Sequence, residues 1–251
     1  MKRPFTRQNT KAVFFDMNNT LVDTKASFNS CFVDVLTDFA GRWDDGGDRW
    51  NPEDVLKTYH AEWAKRTGKL RGKTKEADSL RKRCLEAALR QYPFQVNDSF
   101  AASFFRAMRS QMREHAVLYP HAADTVARLS AHYSVGIITN GGKEQQQRIV
   151  EKHGLDAHIP AGRIFATTRS SVRKPNPALF QQAIRALGIR PEEAVMIGDS
   201  WTNDVAGALG CGMKAVWLNR AGSSGGSTRR AGNKEVPIVR GIKPITELFE
   251  C

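Results

Sequence analysis

From Pro120 to Leu218 the chain takes turns between two apolar patterns. Residues 120–131, 143–153, 175–187 and 204–209 carry apolar side chains at every third or fourth position, the spacing of one helix face. Between them stand short, nearly continuous apolar runs at 134–139, 163–167, 194–197 and 214–218, the pattern of strands buried on both faces. Such alternation leaves few folds open. Each strand runs parallel to its predecessor, and the helix between them crosses back over one face of the sheet. The expectation is an α/β fold: a doubly wound, mostly parallel Rossmann-like sheet whose reactive residues lie beyond the carboxyl ends of the strands.

One further strand of this kind stands far upstream. In KAVFFDMNNTLVD, residues 11–23, the run Ala12, Val13, Phe14 and Phe15 stops abruptly at Asp16. Between this strand and Tyr119 no other strand pattern occurs. Residues 26–40 place Phe28, Cys31, Phe32, Val35, Leu36 and Phe39 on one helical face, and 52–66, 75–91 and 98–116 read as helices too. Pro52 falls near one helix start, Asp98 is the expected cap of another, and the Gly/Asp-rich residues 41–48 form a break. Residues 24–116 are therefore expected to form a helical domain inserted into a core made of 1–23 and 117–251. Toward the end, 221–232 has a flexible-loop composition, with a short strand at 238–239 and a helix at 244–249.

A net charge of +12, with 41% hydrophobic and 25% charged residues, describes a globular chain with a basic face. The basic clusters at 65–90 and 220–240 do not interleave aromatic residues as a base-stacking surface would, so no nucleic-acid partner is expected. No apolar run approaches the roughly 18 residues of a membrane span, and the expected location is cytoplasmic. The four cysteines are scattered, without a metal-binding or disulfide spacing.

Strand ends in this pattern present Asp16, Thr139 and Asp199, with Asp204 close after and Lys174 in the loop RKPNP. A carboxylate that attacks phosphorus needs cations to hold two negative groups together, and Lys174 with a carboxylate-bound metal supplies them. Oxygen ligands and phosphate favour Mg²⁺, with Asp199 and Asp204 as its carboxylates. Thr139 and the backbone N–H groups of Asn140 and Gly141, at the head of a helix, suit phosphoryl oxygens. Taken singly each residue has a plainer role: turn, surface lysine, helix cap.

Together and in order they resemble the haloacid dehalogenase-like hydrolase superfamily. FFDMNNTLVD resembles its first motif, IITNGG its second, RKPNPALF its third and IGDSWTNDVAGA its fourth. The resemblance implies Asp16 as nucleophile, Thr139 as the hydroxyl, Lys174 as the cation, and Asp16, the Asn18 carbonyl, Asp199 and Asp204 around Mg²⁺. It also implies that residues 24–116 are a substrate-selecting cap, and that the partner is a phosphorylated small molecule. Phosphatases of the superfamily usually carry Asp where this chain has Asn18, and that Asp serves as general acid and then base. Asn18 makes a weakened or inactive member that still binds phosphorylated ligands the alternative reading. Dehalogenation ranks lower, because the acidic pattern from Gly198 to Asp204 is generally absent from dehalogenases.

Overall fold

The computed structural model describes residues 3–41, 51–67, 74–92, 95–167, 172–222 and 227–250. The chain divides into two compact units, Met1–Thr24 with Ala116–Cys251, and Lys25–His115.

The first unit holds a seven-stranded sheet in the order β3-β2-β1-β4-β5-β7-β6. Its strands are β1 (Ala12–Phe15), β2 (Ser134–Thr139), β3 (Ile164–Ala166), β4 (Ala194–Gly198), β5 (Lys214–Leu218), β6 (Thr228–Ala231) and β7 (Lys234–Val239). All neighbours pair in parallel except β6 with β7. Strand β1 lies inside this sheet, between β2 and β4, because every one of its side chains is apolar and finds a covered face. Val13 and Phe15 point into one apolar layer with Val126 and Leu129 of α5 (Ala122–Ser130) and Ile149 of α6 (Lys143–Lys152). Ala12 and Phe14 point into the other, with Leu179, Phe180 and Ala183 of α7 (Pro177–Leu187). Phe14 and Phe15 are 0% exposed, a burial that contributes about 1.5–3 kcal/mol for each ring.

Register then sets the site. Phe15 lies opposite Ile137 of β2 and Ile197 of β4, so the next residue on each strand, Asp16, Ile138 or Gly198, emerges at the same level. Helix α7 starts cleanly: Asn176 Oδ1 accepts the Ala178 N–H, Pro177 fills the first turn, and Gly188 ends the helix in the left-handed region at φ 60°. This anchors the loop that carries Lys174.

The second unit contains α1 (Thr24–Ala40), α2 (Pro52–Thr67), α3 (Thr74–Leu89) and α4 (Asp98–Glu114). Phe32, Val55, Leu85 and Phe104 lie in its own apolar core, so its helices bury their faces against one another. Asn97, not Asp98, caps α4, its side chain accepting the Phe100 N–H from an extended backbone; Asp98 falls in the first turn. Residues 42–48 of the expected break lie outside the described residues.

Two further expectations are corrected. Residues 228–231, read as part of a flexible loop, form β6, an edge strand antiparallel to β7. The helix expected at 204–209 begins earlier, as a wide π-type turn over Trp201–Ala206, and continues as the short α8 (Gly207–Gly210). Among the described residues no helix is long and apolar enough to cross a membrane.

Candidate active site

At the carboxyl end of β1 the backbone N–H of Asp16 still donates to Ile197 O (2.9 Å), so the last ladder bond of the sheet fixes the residue that carries the carboxylate. Beyond it the chain folds into a tight hook. Met17 O accepts from the N–H groups of Thr20, Leu21 and Val22, and Asn19 N–H donates to Val22 O (2.8 Å). Asn19 takes φ 57°, a left-handed conformation that asparagine tolerates better than other non-glycine residues.

Lys174 enters from the loop before α7. Its ammonium donates to Asp16 Oδ1 (2.7 Å), Asp204 Oδ1 (2.6 Å) and Ile138 O (2.7 Å), which accounts for all three hydrogens. The lysine and Asp204 side chains are each 2% exposed and that of Asp16 11%. A charge so buried persists only with such partners. Asn140 secures the same loop from β2: its Oδ1 accepts the Lys174 N–H (2.7 Å) and its Nδ2 donates to Lys174 O (3.2 Å). The second-motif asparagine thus aligns the third-motif lysine.

Asp204 is held from both sides. Oδ1 takes the lysine and Oδ2 accepts the Ser200 N–H (2.9 Å). Its close seat depends on glycine, since a Cβ at Gly198 would fall 2.3 Å from Asp204 Oδ2. Gly207 does the same for the packing beneath, where a Cβ would meet the Phe180 ring at 2.8 Å and Pro175 Cα at 3.2 Å. Asp199, at the end of β4, is half-buried; its carbonyl accepts from Trp217 Nε1 (2.9 Å) and its Oδ1 from the Thr20 hydroxyl (3.5 Å).

Asp16, Asp199 and Asp204 each bring a carboxylate oxygen within 4.8 Å of the others. Crowding has an electrostatic consequence. Burial pushes the Asp16 carboxyl from 3.8 up to about 6, Lys174 opposes that rise, and the Asp204 charge adds to it. Asp199 is raised as well, first by burial and then by Asp204. Three carboxylates with one ammonium among them leave an excess of negative charge and a set of hard oxygen donors, which fits a hard divalent cation such as Mg²⁺.

The remaining expected residues lie close by in the fold. Thr139 is 1% exposed, and its Oγ1 accepts the Gly141 N–H (3.2 Å). Asn18 is exposed on the hook, and its side chain makes no hydrogen bond to the described residues. Asp23 immediately precedes α1, and its N–H donates to Val117 O (2.8 Å). Asn203 donates its N–H to Ser200 Oγ (3.2 Å) inside the fourth-motif turn. Trp201 packs edge to face on Trp217, with Arg229 of β6 lying 3.9 Å over its ring.

The sequence pattern does not single out Thr20, Trp217 or Arg220, all of which contribute to or touch the hook after Asp16 or Asp199. The available signal was position: Trp217 and Arg220 stand at the carboxyl end of β5, next to β4, where the strand-end rule already pointed.

A family model described as haloacid dehalogenase-like hydrolase matches residues 10–212. The glyceraldehyde 3-phosphate phosphatase of Pyrococcus furiosus is 27% identical over 209 residues, 83% of this chain and 80% of that protein. A phosphoserine phosphatase of Thermus thermophilus is 34% identical over 121 residues, 48% of this chain and 46% of its own. Among solved structures, the magnesium-bound HAD-hydrolase YfnB of Bacillus subtilis has a TM-score of 0.61 at 20% identity, covering 96% of this chain and 98% of that one.

Proposed function

The chain belongs to the haloacid dehalogenase-like hydrolases, and on that premise we propose that it is a Mg²⁺-dependent hydrolase of small phosphate monoesters working through a phosphoryl group carried on Asp16. The observation that supports this reading best is the Asp16–Lys174–Asp204 array, in which a buried carboxylate at a strand end is held by one ammonium beside two further carboxylates. Similarity to phosphatases over most of the chain supports the same reaction class.

In this reading a carboxylate oxygen of Asp16 forms a bond to phosphorus as the bond to the substrate's alkoxide oxygen breaks. Water then attacks the phosphorus of the acyl phosphate, releasing inorganic phosphate and restoring the carboxylate. Lys174 keeps Asp16 ionised and aimed. Thr139 is set to donate, because its oxygen already accepts from Gly141; its O–H then turns to a phosphoryl oxygen, with the Asn140 N–H in the loop that leads into α6. Gly141 acts through that hydroxyl as much as directly.

Mg²⁺ would be held by Asp16, Asp199 and the backbone carbonyl of Asn18, with Asp204 contributing less, since both its oxygens already accept N–H donors. When bound, the ion supplies charge neutralisation between the phosphoryl group and the carboxylates. Residues 24–116 serve as the cap that selects the organic part of the substrate. A second reading, a weakened member that binds phosphorylated ligands, is favoured by Asn18. Dehalogenation stands below both, given the three clustered carboxylates.

Phosphate release from a metabolite panel with Mg²⁺ is the direct test. Activity should disappear in Asp16→Ala, and hydrolysis that survives this substitution would sink the mechanism.

A pH-linked effect of the metal should accompany it. With the Asp16 folded-state value near 6 and the ordinary value 3.8, the metal-free folded protein binds a proton that the unfolded chain releases across that window. Its contribution to stability is therefore full below about 4 and is lost as pH rises toward 6. Mg²⁺ reverses that loss because it needs the carboxylate deprotonated. Saturating Mg²⁺ should raise the thermal midpoint clearly at pH 7 and hardly at pH 4.5; an equal rise at both values would contradict the site.

A further inference from the structure

We propose that Arg220 is a positioning residue, a strap that crosses the carboxyl end of β4 and fixes the hook carrying Asn18. Strand β4 lies between β1 and β5 in the sheet. Arg220 follows β5, yet its guanidinium reaches the turn after β1, donating from NH2 to Thr20 O (3.0 Å) and from NH1 to Asn19 O. To do so it passes the end of β4, where Asp199 stands; each of the two groups feels the other's charge.

The strap is itself supported. Its guanidinium carbon lies 3.5 Å from the centroid of the Tyr119 ring, a stacked cation–π contact. A planar fork resting on a flat ring presents two N–H groups in one fixed direction, which a lysine ammonium does not reproduce. Both carbonyls it holds belong to the segment where the backbone turns left-handed at Asn19, the one place in the hook where φ is positive. Without the strap, that segment keeps the Met17 bonds but loses the anchor of its outer carbonyls. The Asn18 carbonyl, one residue before, then loses its fixed position. This consequence for the metal rests on the function proposed above; the strap itself does not.

Two effects of removing Arg220 have opposite signs, which makes the test decisive. Loss of a nearby positive charge by itself tightens Mg²⁺ binding, whereas loss of a positioned ligand weakens it. Arg220→Met keeps most of the stem and its packing but removes the fork. The expected results are at least tenfold faster hydrogen exchange in a peptide spanning residues 17–23, and about tenfold weaker Mg²⁺ binding by titration calorimetry without substrate. Arg220→Lys should fall between Arg220→Met and wild type in both. Unchanged exchange in 17–23 would overturn the proposal; faster exchange with Mg²⁺ binding that is unchanged or tighter would overturn its consequence for the metal. If Arg220→Met does not fold, Tyr119→Leu, which removes only the stacking platform, should give a smaller acceleration in the same peptide, and no acceleration there would overturn it equally. Hydrogen exchange reads the strap even in a protein that binds no metal, so its failure and that of the proposed function are distinguishable.

Discussion

Asn18→Asp is expected to raise Mg²⁺-dependent phosphate release by about 10²- to 10⁴-fold, the usual worth of a positioned general acid–base group. An amide two residues past Asp16, the proposed nucleophile, has the shape of a carboxyl but no proton that it can give to a departing alkoxide and retake from water. Wild-type turnover should consequently depend on the leaving group, with aryl phosphates favoured over alkyl phosphates. The substitution is also structurally mild. Asn18 is exposed, its side chain makes no hydrogen bond to the described residues, and the hook is tied by backbone groups of Met17, Asn19, Thr20, Leu21 and Val22. A stability change within about 0.5 kcal/mol is expected for such a surface site. A rise in rate without a change in melting therefore isolates the chemistry. Release that stays within threefold of wild type would place the acid–base group elsewhere. Micromolar binding of a phosphorylated ligand by a wild type without turnover, together with activation in Asn18→Asp, would select the ligand-binding reading.

Most of the sheet was legible because strands buried on both faces leave a contiguous apolar run. Ser134–Thr139 and Lys214–Leu218 have the boundaries that their sequence pattern predicts. Strand β6 has no such run. Its residues, TRRA, are largely exposed, and it is a strand because β7 pairs with it and Arg229 stacks on Trp201. Those are tertiary facts with no local imprint. The cap of α4 shows a smaller limit of the same kind: Asn97 and Asp98 are both good caps, and only the backbone, at φ −81° and ψ 175°, decides for Asn97. At the site, chemically distinctive residues at strand ends announced themselves. Their supports did not: the side chain of Asn140, singled out only for its backbone N–H, aligns a lysine loop, and a tryptophan N–H on a backbone carbonyl and an arginine reaching across a strand are ordinary residues until the fold brings them there.

Lys174→Met should have the other large effect, lowering both stability and activity. The lysine's three donated bonds end on Asp16, Asp204 and Ile138 O, and water has little access to replace them, since its side chain is 2% exposed. Methionine fills much of the space yet leaves two neighbouring buried carboxylates without their cation. Breaking a buried pair in this way costs about 3–5 kcal/mol. Part of that cost is escaped by protonation: Lys174 is what holds Asp16 down against burial and the Asp204 charge, so its removal moves the Asp16 carboxyl further above 6. The variant should accordingly be destabilised more at pH 7, where wild-type Asp16 is ionised against its ammonium, than at pH 5, where Asp16 is protonated with or without it. In the proposed mechanism much of its Asp16 then carries a proton at pH 7 and cannot attack, and the phosphoryl charge lacks its ammonium. The two losses together predict a fall in phosphate release of about 10³-fold or more, one missing electrostatic donor alone being worth about 10²- to 10³-fold. Lys174→Arg should not rescue it, because a longer planar fork does not fit the seat of a compact ammonium with three divergent acceptors. Thermal unfolding at the two pH values and a phosphate-release assay with Mg²⁺ check both halves; turnover within tenfold of wild type would remove Lys174 from the chemistry while leaving its structural role in place.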